Sequence, residues 1–336
     1  MFCLFSNVLF TNGDVKNPMD AKFASTMCSV CESRSAFFFR PYSGETLCQK
    51  CFISSIEKKV RTTIAKYGMF SFDDRVAVAV SGGKDSISLL HVLAKMERTH
   101  PKASLVAVTV DEGIKGYRDE ALAIAAENCE MLGLDHQIVS FEELYGFTMD
   151  EIVAKSRLKA GRKLTPCAYC GVLRRKALNV AARRVCATKI ATAHTLDDEV
   201  QTVLMNIFRG DISRLVKEKP LTDEVHPRFL QKVKPFCEIP ERESTLYAYV
   251  KKVCFQDVPC VYSNEAFRNE VRSMINRMEA LHAGTKFAVF KSVERMRHAL
   301  GASLEKEIFV DCIECGEPAS SGLCRACELL KQIRCI

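Results

Sequence analysis

The stretch RVAVAVSGGKDSISLLHVLAKM at positions 75–96 decides the fold. Its first six residues, 75–80, form an unbroken run of valine, alanine and one arginine, the pattern of a strand buried on both faces. Residues 87–96 then repeat apolar side chains at helical spacing, with Leu89, Leu90 and Leu93 on one side. Between strand and helix lies Ser81-Gly82-Gly83-Lys84-Asp85-Ser86. Two glycines let the backbone turn tightly and come close to a ligand. The N–H groups of such a turn and of the helix start make a concavity for anions. Lys84 adds positive charge, and Ser81 and Ser86 add hydroxyl donors. An isolated Gly-Gly pair is usually only a turn with a helix cap, but the whole hexamer in this setting points to a phosphate loop. It is not a Walker A loop. Val78 stands where the first glycine is required, and Asp85 follows the lysine in place of Ser or Thr.

Outward from this unit, further strands are expected at 104–110, 137–141, 189–192 and 232–236, and helices at 117–132 and 197–208. Alternating strands and helices predict an α/β fold, a doubly wound parallel five-stranded sheet covered on both faces. In such sheets ligands bind beyond the strand C-termini, where the strand order reverses. The charged stretch 268–297 reads as helical.

The chain has 336 residues, 48% hydrophobic and 26% charged, which excludes a wholly disordered or collagen-like protein. No window approaches the roughly 18 apolar residues of a membrane span. Residues 1–10 are apolar but lack a basic flank and a small-residue cleavage site, so a signal peptide is not expected, and Met19 is an alternative start. The anomaly is the cysteine count of 17, odd and without an export signal, which argues for reduced thiols that bind metal or do chemistry. Eight of them form two modules. Cys28-x2-Cys31 and Cys48-x2-Cys51 are separated by 16 residues, and Cys312-x2-Cys315 and Cys324-x2-Cys327 by eight. Each set fits a closed tetrahedral Zn²⁺ site, with a role in folding or docking. The formal charge of +7 would then fall to about +3 with eight thiolates on two Zn²⁺, so a nucleic-acid role must rest on where the basic residues cluster.

Three further constellations carry chemistry. Pro166-Cys167-Ala168-Tyr169-Cys170-Gly171 leads into Val172-Leu173-Arg174-Arg175-Lys176-Ala177-Leu178, a CxxC that is either redox-active or half of a metal site. Its partner must lie elsewhere. Cys129, Cys186, Cys237 and Cys254 read as free buried cysteines, whereas Cys260 sits in a loop signal, Asp257-Val258-Pro259-Cys260. At the end of the fourth strand, Ala193-His194-Thr195-Leu196-Asp197-Asp198-Glu199 offers carboxylates that either cap a helix or hold Mg²⁺ beside phosphates. His194 is more simply a structural histidine than a catalyst. Basic segments at 155–163, at Arg174–Lys176, and at Arg268, Arg272 and Arg277 are solvated faces or phosphate contacts. Gly161 lets the first of them bend around a strand, and exposed single-stranded loops are the RNA form most readable by side chains.

The hexamer resembles the pyrophosphate loop of the PP-loop ATPases, the adenine-nucleotide α-hydrolase-like superfamily. That resemblance implies that ATP is cleaved between its α and β phosphates and that AMP passes to an oxygen of the substrate, turning a poor leaving group into a good one. Taken in order, the first paired-CxxC module, SGGKDS, PCAYCGVLRRKAL, ATAHTLDDEVQTVLMNIFRGD, PCVYSNEAFRNEVR and the closing module are similar to the tRNA 2-thiouridine synthetases of the TtuA/Ncs6 family, over residues 28–327. The resemblance implies adenylation of a uridine C2 oxygen and its replacement by sulfur. The Leu173-Arg174-Arg175 run leans towards wobble uridine 34, with T-loop ribothymidine 54 as the alternative. It further implies a [4Fe–4S] cluster held by Cys167, Cys170 and Cys260, three thiolates that leave one iron open. ATP would contact Ala79, Ser81, Gly82, Gly83, Lys84, Asp85, Ser86, Arg174, Ala193 and Asp198, with Mg²⁺ at Asp85 and Asp198. Lys84, Asp85, Cys167, Cys260 and Asp198 would carry the catalysis.

The same resemblance implies tRNA as substrate, sulfur from a ubiquitin-like carrier's thiocarboxylate or from sulfide, a homodimer, and a cytoplasmic, membrane-free location. The expected organisation is an N-terminal extension (1–27), a zinc finger (28–57), the PP-loop ATPase domain with its Fe–S site (58–263), a helical segment (264–305) and a second finger (306–336). Two positions depart from the family pattern. Ala193-His194-Thr195 replaces the usual Gly-His-Asn, and Arg174 stands where some members have Lys, keeping charge but unable to act as a neutral base. The rival readings are a cluster-free persulfide on Cys167 or Cys260 and a non-catalytic RNA-binding scaffold, against which the intact SGGKDS argues.

Overall fold

The computed structural model describes residues 26–100, 102–158, 164–263, 267–301 and 309–335. A hairpin of β1 (Phe38–Arg40) and β2 (Glu45–Leu47) leads into α1 (Gln49–Lys66). The central sheet follows, built from β3 (Arg75–Ala79), β4 (Ser104–Asp111), β5 (His136–Ser140), β6 (Lys189–Ala191) and β7 (Gln231–Val233). Its order is β5-β4-β3-β6-β7, with every neighbouring pair parallel. The chain steps outward from β3 to β4 through α2 (Lys84–Glu97) and on to β5 through α3 (Arg118–Leu132). It then returns through α4 (Phe141–Tyr145), α5 (Met149–Leu158) and α6 (Pro166–Arg184) to place β6 on the other side of β3. Next come α7 (Leu196–Phe208), α8 (Ile212–Lys217) and β7, so the reversal of strand order falls between β3 and β6.

Side-chain alternation along β3 sorts its residues into two cores. Val76, Val78 and Val80 join Phe52, Ile56, Ile87, Leu90, Ile124 and Val200, from α1, α2, α3 and α7. Ala77 joins Val106, Val108, Ile152, Tyr169, Leu173 and Ala177, from β4, α5 and α6. Helices therefore cover both faces, as the sequence pattern predicts. Strand β7 ends at Val233 instead of the expected residue 236, because Pro235 has no N–H for a ladder. Helix α2 starts at Lys84, earlier than the apolar spacing indicates, since the phosphate loop supplies its first turn. Helix α6 went unread in the sequence although Tyr169, Leu173, Ala177 and Ala181 bury every fourth residue and Pro166 opens its first turn.

After β7 come α9 (Glu241–Lys251), α10 (Arg268–Leu281) and α11 (Thr285–Gly301). The single helical stretch expected at 268–297 is thus two helices, parted at His282–Gly284, where Gly284 takes φ +96°. The chain closes with a hairpin of β8 (Val310–Asp311) and β9 (Pro318–Ala319) and with α12 (Arg325–Arg334). Helix α1 carries Cys51 in its first turn and continues into the apolar core, so the N-terminal cysteine module and the nucleotide domain share it. Arg40 beside that module makes a buried two-point ion pair with Glu243 of α9, at 3.1 and 2.9 Å. Cys129 and Cys237 are buried as expected. Cys186 is exposed, not buried, because the chain turns there beyond α6 with φ +53°. Cys254 is half-buried.

Gly82 takes φ +87°, and a Cβ there would lie 2.5 Å from the carbonyl oxygen of Ala121. At Gly83 a Cβ meets only Ser81 Oγ, at 3.6 Å. We expect Gly82→Ala to destabilise the fold by about 1–3 kcal/mol, read as a lowered denaturant midpoint. Gly83→Ala should leave that midpoint nearly unchanged.

Candidate active site

The loop after β3 is braced by its own serines. Ser86 Oγ donates to Gly83 O at 2.9 Å and accepts from Ser81 N at 3.1 Å. No side chain caps α2, so its first amides, at Lys84 and Asp85, stay available to an anion. The Lys84 ammonium lies between Asp85, at 2.8 Å, and Glu241 of α9, at 2.9 Å. Burial works against its charge, but the two carboxylates outweigh it and hold the pKa above the ordinary lysine value. Burial raises the Asp85 carboxyl despite Lys84 and the Ser244 hydroxyl beside it, and its buried Oδ1 makes no hydrogen bond of ordinary geometry. An orphaned oxygen beside a phosphate loop fits a divalent cation that prefers oxygen ligands.

Across the strand reversal, β6 delivers Thr192, Ala193 and His194 to the same end of the sheet. Thr195 and Asp198 form a reciprocal capping box at the start of α7, with Thr195 N donating to Asp198 Oδ2 at 3.0 Å. Capping therefore accounts for Asp198 Oδ2, while Oδ1 faces Arg268 at 3.8 Å. Burial disfavours the Asp198 carboxylate, but His194, Thr195 and Arg268 reverse that and hold its pKa below the ordinary value. Asp197 is turned away to Lys286 and to the Glu241 amide. His194 is exposed yet densely surrounded by protein, as a ring on a cleft floor must be. Burial, then Lys234, lower its pKa from 6.5 to about 4, with Asp198 acting in opposition. Thr192 Oγ1 contacts its Nδ1 at 2.9 Å.

Two arginines share one buried carboxylate between loop and thiols. Glu112, at the end of β4, is 2.8 Å from Arg118 and 3.7 Å from Arg174. Arg118 donates to Ser81 O at 2.9 Å and Val110 O at 2.7 Å, which fixes it under the phosphate loop. Arg174 lies one helical turn beyond Cys170 on α6, and its charge offsets part of the burial that pushes the Cys170 thiol up to about 12. Cys167 Sγ donates to the Tyr262 carbonyl at 3.6 Å, drawing the Cys260 loop against α6. Tyr262 OH donates in turn to Asp150 at 2.6 Å. The loop is tied at its other end as well, where Gln256 N donates to Gly82 O at 2.9 Å. Four residues reach at most about 14 Å, so Cys260 lies within that distance of the contact between Gln256 and the phosphate loop.

Among the described residues, only the two terminal modules bring three or more ligand atoms within 4.8 Å of one another. Cys167, Cys170 and Cys260 are thus too widely set for a single ion. A four-iron cluster spaces its thiolates further apart, and the donor set, an exposed Cys167 with half-buried Cys170 and Cys260, has the soft sulfur chemistry such a cluster takes. In the terminal modules Cys31 and Cys48 lie 3.8 Å apart and Cys315 and Cys324 3.7 Å. A tetrahedron with Zn–S bonds of about 2.3 Å has edges of about 3.8 Å, so both sites match it.

The structure brings Ala79, Ser81, Gly82, Gly83, Lys84, Asp85, Ser86, Ala193 and Asp198 to the strand reversal, with Arg174, Cys167, Cys170 and Cys260 alongside. Two basic candidates are diverted. Lys176 points to Cys324 and Cys327, and Arg268 bonds Gln201 and Thr202 of α7. Residues 159–163 of the first basic segment lie outside the described residues. Glu112, Arg118, Glu241 and Gln256 escaped the sequence reading. Only Glu112 left a signal, as the second acidic residue at a strand end.

The sheet order and loop define a nucleotide-binding site of PP-loop type, and the family model of the PP-loop domain matches residues 53–279. Cytoplasmic tRNA 2-thiolation protein 1 of Saccharomyces cerevisiae (strain RM11-1a) is 36% identical over 94% of this chain and 89% of its own length. The tRNA 2-thiolation protein NcsA of Haloferax volcanii is 34% identical, over 92% and 99%. Among solved structures, the U34-tRNA thiolase NcsA from Methanococcus maripaludis with its [4Fe–4S] cluster superposes with a TM-score of 0.78 at 32% identity, covering 92% of this chain and 98% of that one. The chain belongs to this family of tRNA 2-thiolation proteins.

Between pH 4 and 6.5 the unfolded chain binds more protons at His194 than the folded one, so its contribution is full above pH 6.5 and is lost as pH falls towards 4. We expect His194→Gln to flatten the decline of urea stability across that window, compared at pH 7 and pH 5.

Proposed function

We propose that this chain is the sulfur-inserting enzyme of tRNA 2-thiolation, acting on wobble uridine 34 with ATP. The observation that carries this reading is the tie between phosphate loop and cysteines through Arg118, Glu112, Arg174 and Gln256. The uridine C2 oxygen attacks the α-phosphorus of ATP, and pyrophosphate leaves into the loop amides and Lys84. Asp85 and Asp198 would hold Mg²⁺, which would supply charge against the leaving group, and pre-aimed donors in a cleft favour the transition state. Hydrosulfide then adds at C2 and expels AMP, which carries the oxygen away, while the sulfur loses its proton to give the 2-thio group. Cys167, Cys170 and Cys260 would hold a [4Fe–4S] cluster, whose chemistry is to present sulfur at an iron free of protein ligands.

The terminal cysteine modules hold Zn²⁺ and serve the fold. Arg174, Arg175 and Arg272 offer exposed cations to tRNA phosphates around the cleft. The sulfur donor is a ubiquitin-like thiocarboxylate or sulfide, and the working unit is a homodimer. The place of work is the cytoplasm, the location in the names of the eukaryotic relatives. No helix among the described residues is long and apolar enough to cross a membrane.

Lys84→Ala should lower thiolation at least about 100-fold, the scale of losing one preorganised charge, while tRNA binding by filter assay stays near the native level. Equal activity in the variant would leave only a scaffold role. Anaerobically purified protein should contain iron and acid-labile sulfide, and Cys260→Ala should lose both. An iron-free protein of full activity would overturn the cluster mechanism and leave the persulfide route as its rival.

A further inference from the structure

Helix α6 reaches both the proposed cluster cysteines and the C-terminal cysteine module. Lys176 Nζ lies 3.9 Å from Cys324 Sγ and 3.8 Å from Cys327 Sγ, two ligand atoms of one tetrahedral set. Its half-buried ammonium also sits 5.9 Å from the ring of Tyr145, whose hydroxyl donates to Leu173 O at 2.8 Å on the same helix. Four thiolates on one Zn²⁺ leave two excess negative charges, and a lysine aimed at two of the sulfurs offsets one of them through charge-assisted hydrogen bonds. Arg183 adds an ion pair from α6 to Glu317, in the loop between Cys315 and Cys324. The N-terminal module has no lysine so placed among the described residues. An arginine stands there instead, Arg34, 4.0 Å from Cys31 Sγ at an exposed edge and also facing Cys48.

We propose that Lys176 is a positioning residue that secures the C-terminal zinc and, through α6, couples that metal to retention of the Cys167–Cys170 cluster. Lys176 lies six residues beyond Cys170, about 9 Å along the helix axis. The two cysteines and the lysine therefore ride on one rigid element. Loss of the C-terminal zinc removes the partner of Lys176 and frees the end of α6 that docks on α12, and the cysteine end moves with it. The second half of this proposal rests on the cluster reading above.

The test uses full-length protein loaded with both metals, a chromophoric chelator, and cysteine alkylation mapped by peptide mass spectrometry. In Lys176→Met the zinc of Cys312, Cys315, Cys324 and Cys327 should leave 10- to 100-fold faster, the usual effect of losing an outer hydrogen bond to metal ligands. The zinc of Cys28, Cys31, Cys48 and Cys51 should leave at the native rate, which also certifies the fold. Iron–sulfur absorbance and the EPR signal should decay in step with the faster zinc, and Lys176→Arg should restore both. Should Lys176→Met fail to fold, Lys176→Gln, which keeps a donor without charge, should show the same selective loss. Equal release from both modules at native rates overturns the role of Lys176. Selective zinc loss with an unchanged cluster signal overturns the coupling. Native protein that takes up no iron and sulfide overturns the cluster reading and the coupling with it, while zinc release still decides the contact of Lys176 with the thiolates.

Discussion

Strand β3 is hydrogen-bonded to β4 on one side and to β6 on the other, and the chain leaves these neighbours in opposite directions. That divergence leaves a crevice beyond the strand ends which no connection crosses. The phosphate loop and the β6 end with Ala193, His194 and Asp198 occupy its two walls because of the pairing alone. Neither wall needs the other in sequence, since 105 or more residues separate them. The short strand β6 suffices because Val76 to Val78 hold it in register with Lys189 to Ala191.

Charge at the crevice is organised by shared partners more than by isolated pairs. Glu112 serves Arg118 and Arg174, and Glu241 serves Lys84 and Arg272. A buried carboxylate between two guanidiniums loses far less to desolvation than one left alone. Its geometry is also directional. Arg118 is fixed by two backbone carbonyls, so Arg174 is the partner free to respond to what enters beside Cys170. Such sharing lets one acidic residue set the position of a cation in the nucleotide wall and another beside the sulfurs.

Much of this was legible in the sequence. The sheet, its five strands and the loop at 81–86 followed from β-branched runs set against helical spacing, and both cysteine modules followed from spacing that tetrahedral geometry dictates. The residues that couple the parts were not. Arg118 looks like any first-turn residue of a helix, and Gln256 looks like any polar loop residue, although its amide donates to Gly82 O and its side chain to Tyr117 O and Glu120. Lys176 stands in a basic run that resembles a nucleic-acid contact, and only the docking of α12 on α6 shows where its ammonium points. The Asp197-Asp198 pair suits either a helix cap or a metal, and in the structure Asp198 caps α7 with one oxygen while the other faces Arg268.

Helix α1 begins at Cys48, in the N-terminal cysteine module, and runs along the larger core, where Phe52, Ile56 and Val60 are fully buried. A nascent chain short of metal would lack the fixed start of that helix and leave its aromatic and branched side chains without a settled place. With zinc in that module, as proposed above, cellular zinc supply would become a condition for maturation, and a starved polypeptide would present to chaperones and proteases a surface that the completed protein never shows.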